Sequence, residues 1–126
     1  MGPVLLDTHV LLWALSNPSA LKAKIREQIQ NPRQVIFVSS ASVWEIGIKQ
    51  ALGKLEAPSN LEDILSRSRF SPLPISWAHA NAAGKLPPHH KDPFDRMLIA
   101  QAQTEGLTLL THDRDLKAYG AFVHFV

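Results

Sequence analysis

The sequence contains no cysteine and no long apolar run. Without cysteine there is no disulfide framework, no thiol nucleophile and no Cys-based zinc site. The absence also fits a reducing compartment. No apolar run approaches the roughly 20 residues that a membrane helix needs, and no basic segment followed by an apolar one resembles a signal peptide. We therefore expect a cytoplasmic protein with no membrane association.

Charge of either sign is also in short supply. Thirteen Lys and Arg residues face 11 Asp and Glu residues, which leaves a net charge of +2. The sequence pI of about 9.2 is weakly compatible with a nucleic-acid partner but does not select one. The length of 126 residues and the hydrophobic fraction of 45% suit one compact core. The sequence predicts a single domain over residues 1–126.

Short apolar runs alternate with longer helical segments along the chain. The predicted strands are PVLL (3–6), VIFV (35–38), LPI (73–75), LTLLT (107–111) and FVHF (122–125). The predicted helices cover residues 8–15, 20–30, 41–52, 61–69, 76–84, 93–105 and 113–119. Strands separated by helices need crossover connections, and uninterrupted apolar strands suit a sheet that is covered on both faces. The pattern predicts a three-layer α/β/α domain with a central parallel sheet.

Four carboxylates lie near the predicted carboxyl edge of that sheet. Asp7 directly follows the first strand, Glu45 lies one turn into the helix after VIFV, Asp95 is in the first turn of a helix, and Asp113 follows LTLLT. Right-handed crossovers place the strand-to-helix loops at one edge, where open α/β sheets bind ligands. We therefore expect these four side chains to converge.

Each acid also has a simple explanation as part of a helix N-terminus. Acidic residues are common at N-caps and in first turns because they accept backbone N–H groups and complement the helix dipole. The candidates are Asp7 and Asp113 as caps, Ser42 with Glu45 as a capping box, Asp92 as the cap before Pro93, and Asp95 as a first-turn acid. For any one residue this explanation is at least as good as a catalytic one.

The four acids together favour a metal site. Like charges held close together raise one another's pKa and destabilise the fold, and a divalent cation removes that cost. Oxygen ligands select Mg²⁺ or Mn²⁺ rather than zinc. Such ions support phosphodiester hydrolysis by polarising the phosphate and acidifying an attacking water, so no protein nucleophile is needed. The charge of Asp7, set between two apolar runs, would then be offset by a metal.

At these residues the chain resembles the PIN domain family, and more narrowly the VapC-type toxins of bacterial type II toxin–antitoxin systems. The resemblance is carried by LLDTHVLLW, SSASVWEIGIK, DPFDRMLIAQAQTEGLTLLTHDRDL and the final strand, from about Leu5 to the end. Its most specific part is D-P-F-D-R-x-L-I-A-Q-A followed by T-L-x-T-x-D. It implies a metal-dependent endoribonuclease that acts on RNA, forms a homodimer and is inhibited by a cognate VapB-like antitoxin.

The resemblance also implies roles for single residues. The acids matching Asp7, Glu45, Asp95 and Asp113 would bind Mg²⁺ or Mn²⁺ and support catalysis. At the last of these positions the family also accepts Asn, and Asp115 lies nearby. Further residues would orient a carboxylate or a metal-bound water, or act as a cap: Thr8, Asp92 and Thr111.

The remaining polar residues are harder to interpret. Arg96, Arg114 and Lys49 are candidates for contact with RNA phosphates. For Lys49, an i,i+4 pair with Glu45 is an equally good explanation. His89 and His90 are adjacent, so their side chains point in different directions. No second cluster has zinc-ligand spacing. We expect an exposed polar loop there.

Two other functions stay open at this stage. A PIN fold that has lost catalysis could serve only in binding, although retention of all four acids argues against it. A phosphoacceptor receiver-like signalling domain has similar size and class. It usually carries an acidic pair after its first strand and a lysine after a late strand. Here Asp7 stands alone and LTLLT leads to His112.

Overall fold

The structure, a computed structural model, describes residues 2–126. Its strands are β1 (Val4–Leu6), β2 (Ile36–Ser39), β3 (Ser71–Leu73), β4 (Thr108–Thr111) and β5 (Val123–Phe125). Its helices are α1 (Thr8–Ser16), α2 (Ala23–Gln30), α3 (Ser40–Ala51), α4 (Leu61–Arg67), α5 (Trp77–Gly84) and α6 (Pro93–Glu105). Two 3₁₀ segments cover Pro18–Ala20 and Arg114–Tyr119.

The five strands form one parallel sheet in the order β3-β2-β1-β4-β5. β1 lies at its centre, where Leu5 pairs with Phe37 of β2 and with Leu109 of β4. The predicted α/β fold with a central parallel sheet is confirmed. Among residues 2–126, no helix is long and apolar enough to cross a membrane.

Apolar side chains cover both faces of the sheet. Val4 and Leu6 point to one face, where they pack with buried residues of α1, α2 and α3. Leu5 points to the other face and packs with α6 and with the 3₁₀ segment that follows β4. All three β1 residues are fully buried. A strand that must be apolar on both sides therefore reads as a continuous run rather than an alternating one.

Most predicted boundaries lie within one or two residues of those in the structure, and three elements show the clearest differences in position or type. The second helix begins at Ala23, because Leu21 adopts an extended conformation after the 3₁₀ turn Pro18–Ala20. The third strand is Ser71–Leu73 rather than 73–75. It includes Pro72, which is tolerated because β3 is an edge strand. The segment after Asp113 is a 3₁₀ helix rather than an α-helix.

The helix N-caps show which acidic residues accept hydrogen bonds from backbone N–H groups. Asp7 caps α1 and Asp92 caps α6, as predicted from the sequence. The predicted capping box of Ser42 and Glu45 is wrong, because α3 begins at Ser40 and is capped by Ser39. Glu45 therefore lies inside the helix, and its carboxylate is free for other partners.

Arg96 fixes the loop between α5 and α6. Its guanidinium donates hydrogen bonds to four backbone carbonyls, those of Ala83, Leu86, Pro87 and His90. The hydroxyl of Tyr119 joins the same network by donating to the Pro87 carbonyl. The terminal N–H groups of Arg96 are thus committed to the protein's own backbone, so the structure does not support the expectation that Arg96 contacts RNA phosphate.

Substituting Arg96→Lys should lower the free energy of unfolding by about 2 kcal/mol, since an ammonium cannot serve four carbonyls that a planar guanidinium reaches. Urea unfolding measures the change. Arg67→Lys is the matched control, because Arg67 makes only an exposed i,i+4 ion pair with Asp63 and its replacement should change little. Equal losses in the two variants would contradict the role given to Arg96.

Candidate active site at the carboxyl edge of the sheet

Asp7 is buried at the point where β1 meets α1. Its Oδ1 accepts a hydrogen bond from the Val10 N–H (2.8 Å), which caps the helix. Its Oδ2 accepts from the Thr111 hydroxyl and from the His112 N–H (3.0 Å) at the end of β4. Burial raises the pKa of the Asp7 carboxyl above its ordinary value, and these three hydrogen bonds oppose that rise.

Glu45 is held from two sides. The Thr8 hydroxyl lies 2.6 Å from its Oε1, and the Lys49 ammonium lies 2.5 Å from its Oε2. Thr8 has only one proton and donates it to the carboxylate, so the Ser42 hydroxyl 3.1 Å away donates to Thr8. The i,i+4 pair of Glu45 and Lys49 is therefore present, and both residues line the cleft.

The carboxyl of Asp95 has a pKa well above its ordinary value. Burial first, and then the negative charge of Asp92, raise its pKa to about 7, with smaller contributions of the same sign from Glu45 and Asp7. His90 opposes the shift. The Asp92 carboxylate instead accepts hydrogen bonds from the N–H groups of Phe94 and Asp95 as the cap of α6. The surrounding protein therefore disfavours the ionised form of Asp95.

Asp113 lies across the cleft from Asp95, and His90 connects them. The His90 Nε2 is 3.0 Å from Asp113 Oδ2 and 3.7 Å from Asp95 Oδ2. The backbone N–H of Asp113 donates to the Thr111 hydroxyl, which in turn donates to Asp7. The other Asp113 oxygen accepts from the Asp115 N–H, so Asp113 also caps its 3₁₀ helix.

All four predicted acids line one cleft of about 730 Å³ at the carboxyl edge of the sheet. Asp92 and Thr8 line it too, whereas the Asp115 side chain is exposed outside it. Within residues 2–126, the tightest group of metal-type ligand atoms is that of His90, Asp95 and Asp113, which lie within 4.8 Å of one another. Glu45 is tied instead to Thr8 and Lys49.

The donor set fits a hard divalent cation. Carboxylate oxygens converge on the cleft, and burial together with nearby negative charges raises the pKa of Asp95. Oxygen donors of this kind suit Mg²⁺ or Mn²⁺ better than softer metals. Such an ion would remove the repulsion that disfavours the ionised form of Asp95.

Two positively charged side chains, those of Lys49 and Arg114, line the cleft. Lys49 has a raised pKa because of its hydrogen bond to Glu45, while burial opposes the rise and the charges of Glu45, Asp92 and Asp95 add to it. It therefore stays charged. Arg114 is exposed, and its guanidinium lies 4.3 Å from the centre of the Phe125 ring.

An aromatic wall closes one side of the cleft, formed by Trp13, His112 and Phe125. The His112 ring stacks on Phe125 with their centres 5.2 Å apart, and it meets the edge of Trp13 at 4.8 Å. His112 Nδ1 lies 2.7 Å from the Val126 carbonyl, which only accepts, so Nδ1 carries the proton. The wall offers flat π surfaces beside the acids.

The sequence reasoning missed His90. It was expected in an exposed polar loop, but the structure places its ring half-buried between two carboxylates. One signal was available, namely that His90 lies two residues before the N-cap of a helix whose first turn carries a predicted site acid. The clamp by Arg96 that turns the loop inward is a tertiary contact with no local sequence pattern.

Comparisons with known proteins identify the family to which this chain belongs. The PIN domain family model matches residues 4–121. Ribonuclease VapC22 of Mycobacterium tuberculosis (strain ATCC 25618 / H37Rv) is 30% identical over 124 residues, which are 94% of this chain and 93% of that protein. Ribonuclease VapC16 of the same strain is 41% identical over 58 residues, and this match spans 43% of this chain and 41% of that protein.

A solved structure shares the fold. The crystal structure of VapBC2 from Rickettsia felis bound to a DNA fragment from their promoter matches with a TM-score of 0.71. The match covers 98% of this chain and 97% of that one at 17% identity, so it supports the fold alone. The family model matches residues 4–121, and the alignment with Ribonuclease VapC22 covers 94% of this chain. The chain therefore belongs to the PIN domain family.

Proposed function

We propose that the protein is a metal-dependent endoribonuclease of the VapC type, formed by a single PIN domain and acting in the cytoplasm. The observation that carries this proposal is the convergence of Asp7, Glu45, Asp95 and Asp113 on one cleft that also holds two cations. Two relatives whose names give ribonuclease activity support it. Asp7, Glu45, Asp95 and Asp113 would hold Mg²⁺ or Mn²⁺, directly or through water.

When bound, a divalent cation would neutralise phosphate charge and acidify a water for attack on phosphorus. The protein's own residues prepare the site for this. Thr111 and the His112 N–H fix one oxygen of Asp7, so that carboxylate enters the cleft in one orientation. Thr8 does the same for Glu45. Hydrolysis adds the water across one P–O bond, and the leaving ribose oxygen takes up a proton.

The cleft walls suit a single strand of RNA. Lys49 and Arg114 line the cleft together with the acids. We expect their charged groups to contact RNA phosphates on either side of the scissile bond. Trp13, His112 and Phe125 present a surface on which an unpaired base can stack. A paired duplex keeps its bases stacked inside the helix and would leave this wall unused.

We also propose that the protein forms a homodimer and binds a VapB-like antitoxin. The solved structure that it resembles is of VapBC2. On the outer face of α3, Trp44, Ile48 and Leu52 follow at i,i+4,i+8 and are 63%, 37% and 63% exposed. A contiguous apolar stripe of this kind is typical of a protein interface.

Replacing Asp95 with Asn should lower RNA cleavage by more than the roughly 10–100-fold typical of residues that support a metal site indirectly. Purified antitoxin-free protein would be assayed on mixed cellular RNA with Mg²⁺ or Mn²⁺, and with EDTA. Asp115→Asn is the matched control, because that carboxylate lies outside the cleft. Equal activity of wild type and Asp95→Asn would refute the assigned site, and no cleavage by the wild type would favour a binding role.

The same substitution should stabilise the metal-free protein at neutral pH. Burial and nearby negative charges raise the pKa of Asp95 from its ordinary 3.8 to about 7 in the folded state, so between these two pH values the folded state holds a proton that the unfolded state has lost. Stability therefore falls as pH rises from about 4 to about 7 and then levels off. The side chain is 23% exposed, so we expect Asp95→Asn to gain about 2 kcal/mol at pH 8 and nothing at pH 4.

Urea unfolding in EDTA at the two pH values measures this difference between wild type and variant. Added Mg²⁺ or Mn²⁺ should then raise the stability of the wild type and leave the variant almost unchanged. A constant difference between the two proteins from pH 4 to pH 8 would contradict the repulsion described for Asp95.

Trp44→Glu should weaken a protein interface at the α3 stripe, because it places a charge in an apolar contact. Sedimentation of the chain alone, and with the antitoxin, measures both associations. Val35→Glu is the matched control, since Val35 is an exposed apolar residue that lies before β2 and outside the stripe. If neither association changes with Trp44→Glu, the stripe is not an interface.

A further inference from the structure

His90 occupies the gap between two of the acids without being one of them. Its Nε2 lies 3.0 Å from Asp113 Oδ2 and 3.7 Å from Asp95 Oδ2. Its side chain is 19% exposed, so the ring is mostly shielded from water. The question for the chemistry is whether this nitrogen offers a lone pair to a metal or a proton to the carboxylates.

The hydrogen bond at the other ring nitrogen, Nδ1, shows which of these His90 offers. The backbone N–H of Asp92 donates a hydrogen bond to His90 Nδ1 at 3.2 Å. A backbone N–H only donates, so Nδ1 must present its lone pair. In the neutral ring the proton is then on Nε2, and the contact with Asp113 is an N–H donated to a carboxylate.

This arrangement is the reverse of that around a metal-bound histidine. A ligating histidine gives the lone pair of one nitrogen to the metal and donates the N–H of the other to a carboxylate or a carbonyl. In His90 the nitrogen nearest the acids carries the proton, and the nitrogen further away accepts. Ligation through Nε2 would require a proton on Nδ1, where it would meet the N–H of Asp92.

The loop holds the ring in this orientation. The backbone N–H of His90 donates to the Tyr119 hydroxyl (3.0 Å), and that hydroxyl donates to the Pro87 carbonyl (2.9 Å). Arg96 holds the His90 carbonyl (3.3 Å) and the Pro87 carbonyl (3.1 Å). Hydrogen bonds to its own N–H and carbonyl therefore fix the His90 backbone, and with it the position of the imidazole beside Asp95 and Asp113.

We propose that His90 is a positioning residue, a neutral imidazole whose Nε2–H holds the Asp113 carboxylate, and draws that of Asp95, in the orientation that binds the metal. It is not itself a metal ligand. This inference rests on the proposed nuclease function for its purpose, but the state of the ring can be tested without RNA and without metal. It extends the site from the four acids to the loop before α6.

The first test is the tautomer in the metal-free full chain. A long-range ¹H–¹⁵N correlation spectrum, assigned by comparison with His90→Gln, should show His90 with a proton on Nε2 and none on Nδ1. A proton on Nδ1 would overturn the proposal. Because this measurement uses neither substrate nor cation, it stands even if the protein proves not to cleave RNA.

The second test separates positioning from ligation. His90→Ala should lower Mn²⁺ affinity and RNA cleavage by roughly 10–100-fold. His90→Gln should restore most of both, because its amide N–H donates at about the same reach. His124→Ala is the matched control, since His124 is exposed on β5 and lies outside the cleft. Wild-type activity in His90→Ala, or no recovery in His90→Gln, would overturn the proposal.

Pulsed EPR of the Mn²⁺-loaded protein distinguishes a hydrogen-bond donor from a metal ligand at His90. With His90 as a donor to Asp113, no directly coordinated ¹⁴N should be seen in the wild type. A strong ¹⁴N coupling that disappears in His90→Gln would identify His90 as a ligand and overturn the proposal. Loss of folding in His90→Ala would be visible in the same correlation spectra.

Discussion

The structure depends on how one buried carboxylate is satisfied. Asp7 sits at the end of the central strand, and its three donors come from the first turn of α1 and from the end of β4. Each unmade hydrogen bond to a buried carboxylate is costly, so the strand end, the helix start and the neighbouring strand must take up one relative arrangement. That arrangement places Thr111, and through it Asp113, beside Asp7. A metal is therefore not the sole answer to the charge of Asp7.

The two ways of using an acid differ within the site. The Asp7 and Asp92 carboxylates accept hydrogen bonds from backbone N–H groups in the first turn of a helix, as ordinary N-caps do. Asp95 is buried beside other carboxylates, which together raise its pKa, so a bound cation would favour its ionised form. The capping interpretation is therefore confirmed for Asp7 and Asp92, whereas the catalytic interpretation of the acids stays a prediction. The Asp7 carboxylate is part of the framework as well as of the site.

The sequence was sufficient for the parts of the fold that local rules control. α6 begins and ends where Asp92, Pro93 and Gly106 predict, and β1 was recognisable because a central strand is apolar on both faces. The boundaries of β3 depended on edge pairing with β2, and the start of α3 on a cap at Ser39. The convergence of the acids followed from topology. The roles of Arg96 and His90 did not, because both depend on how a loop folds back onto α6 and Tyr119.

The hydrogen bond from Thr111 to Asp7 joins residues that are 104 positions apart in the chain. During synthesis on a ribosome, Asp7 emerges long before β4 and β5. A partial chain can form α1 and the first strands, but it cannot fix Asp7 or bring Asp113 to the cleft. The acid cluster is therefore completed only after β4 and Asp113 have left the ribosome, so the site cannot assemble while only the first strands have been made.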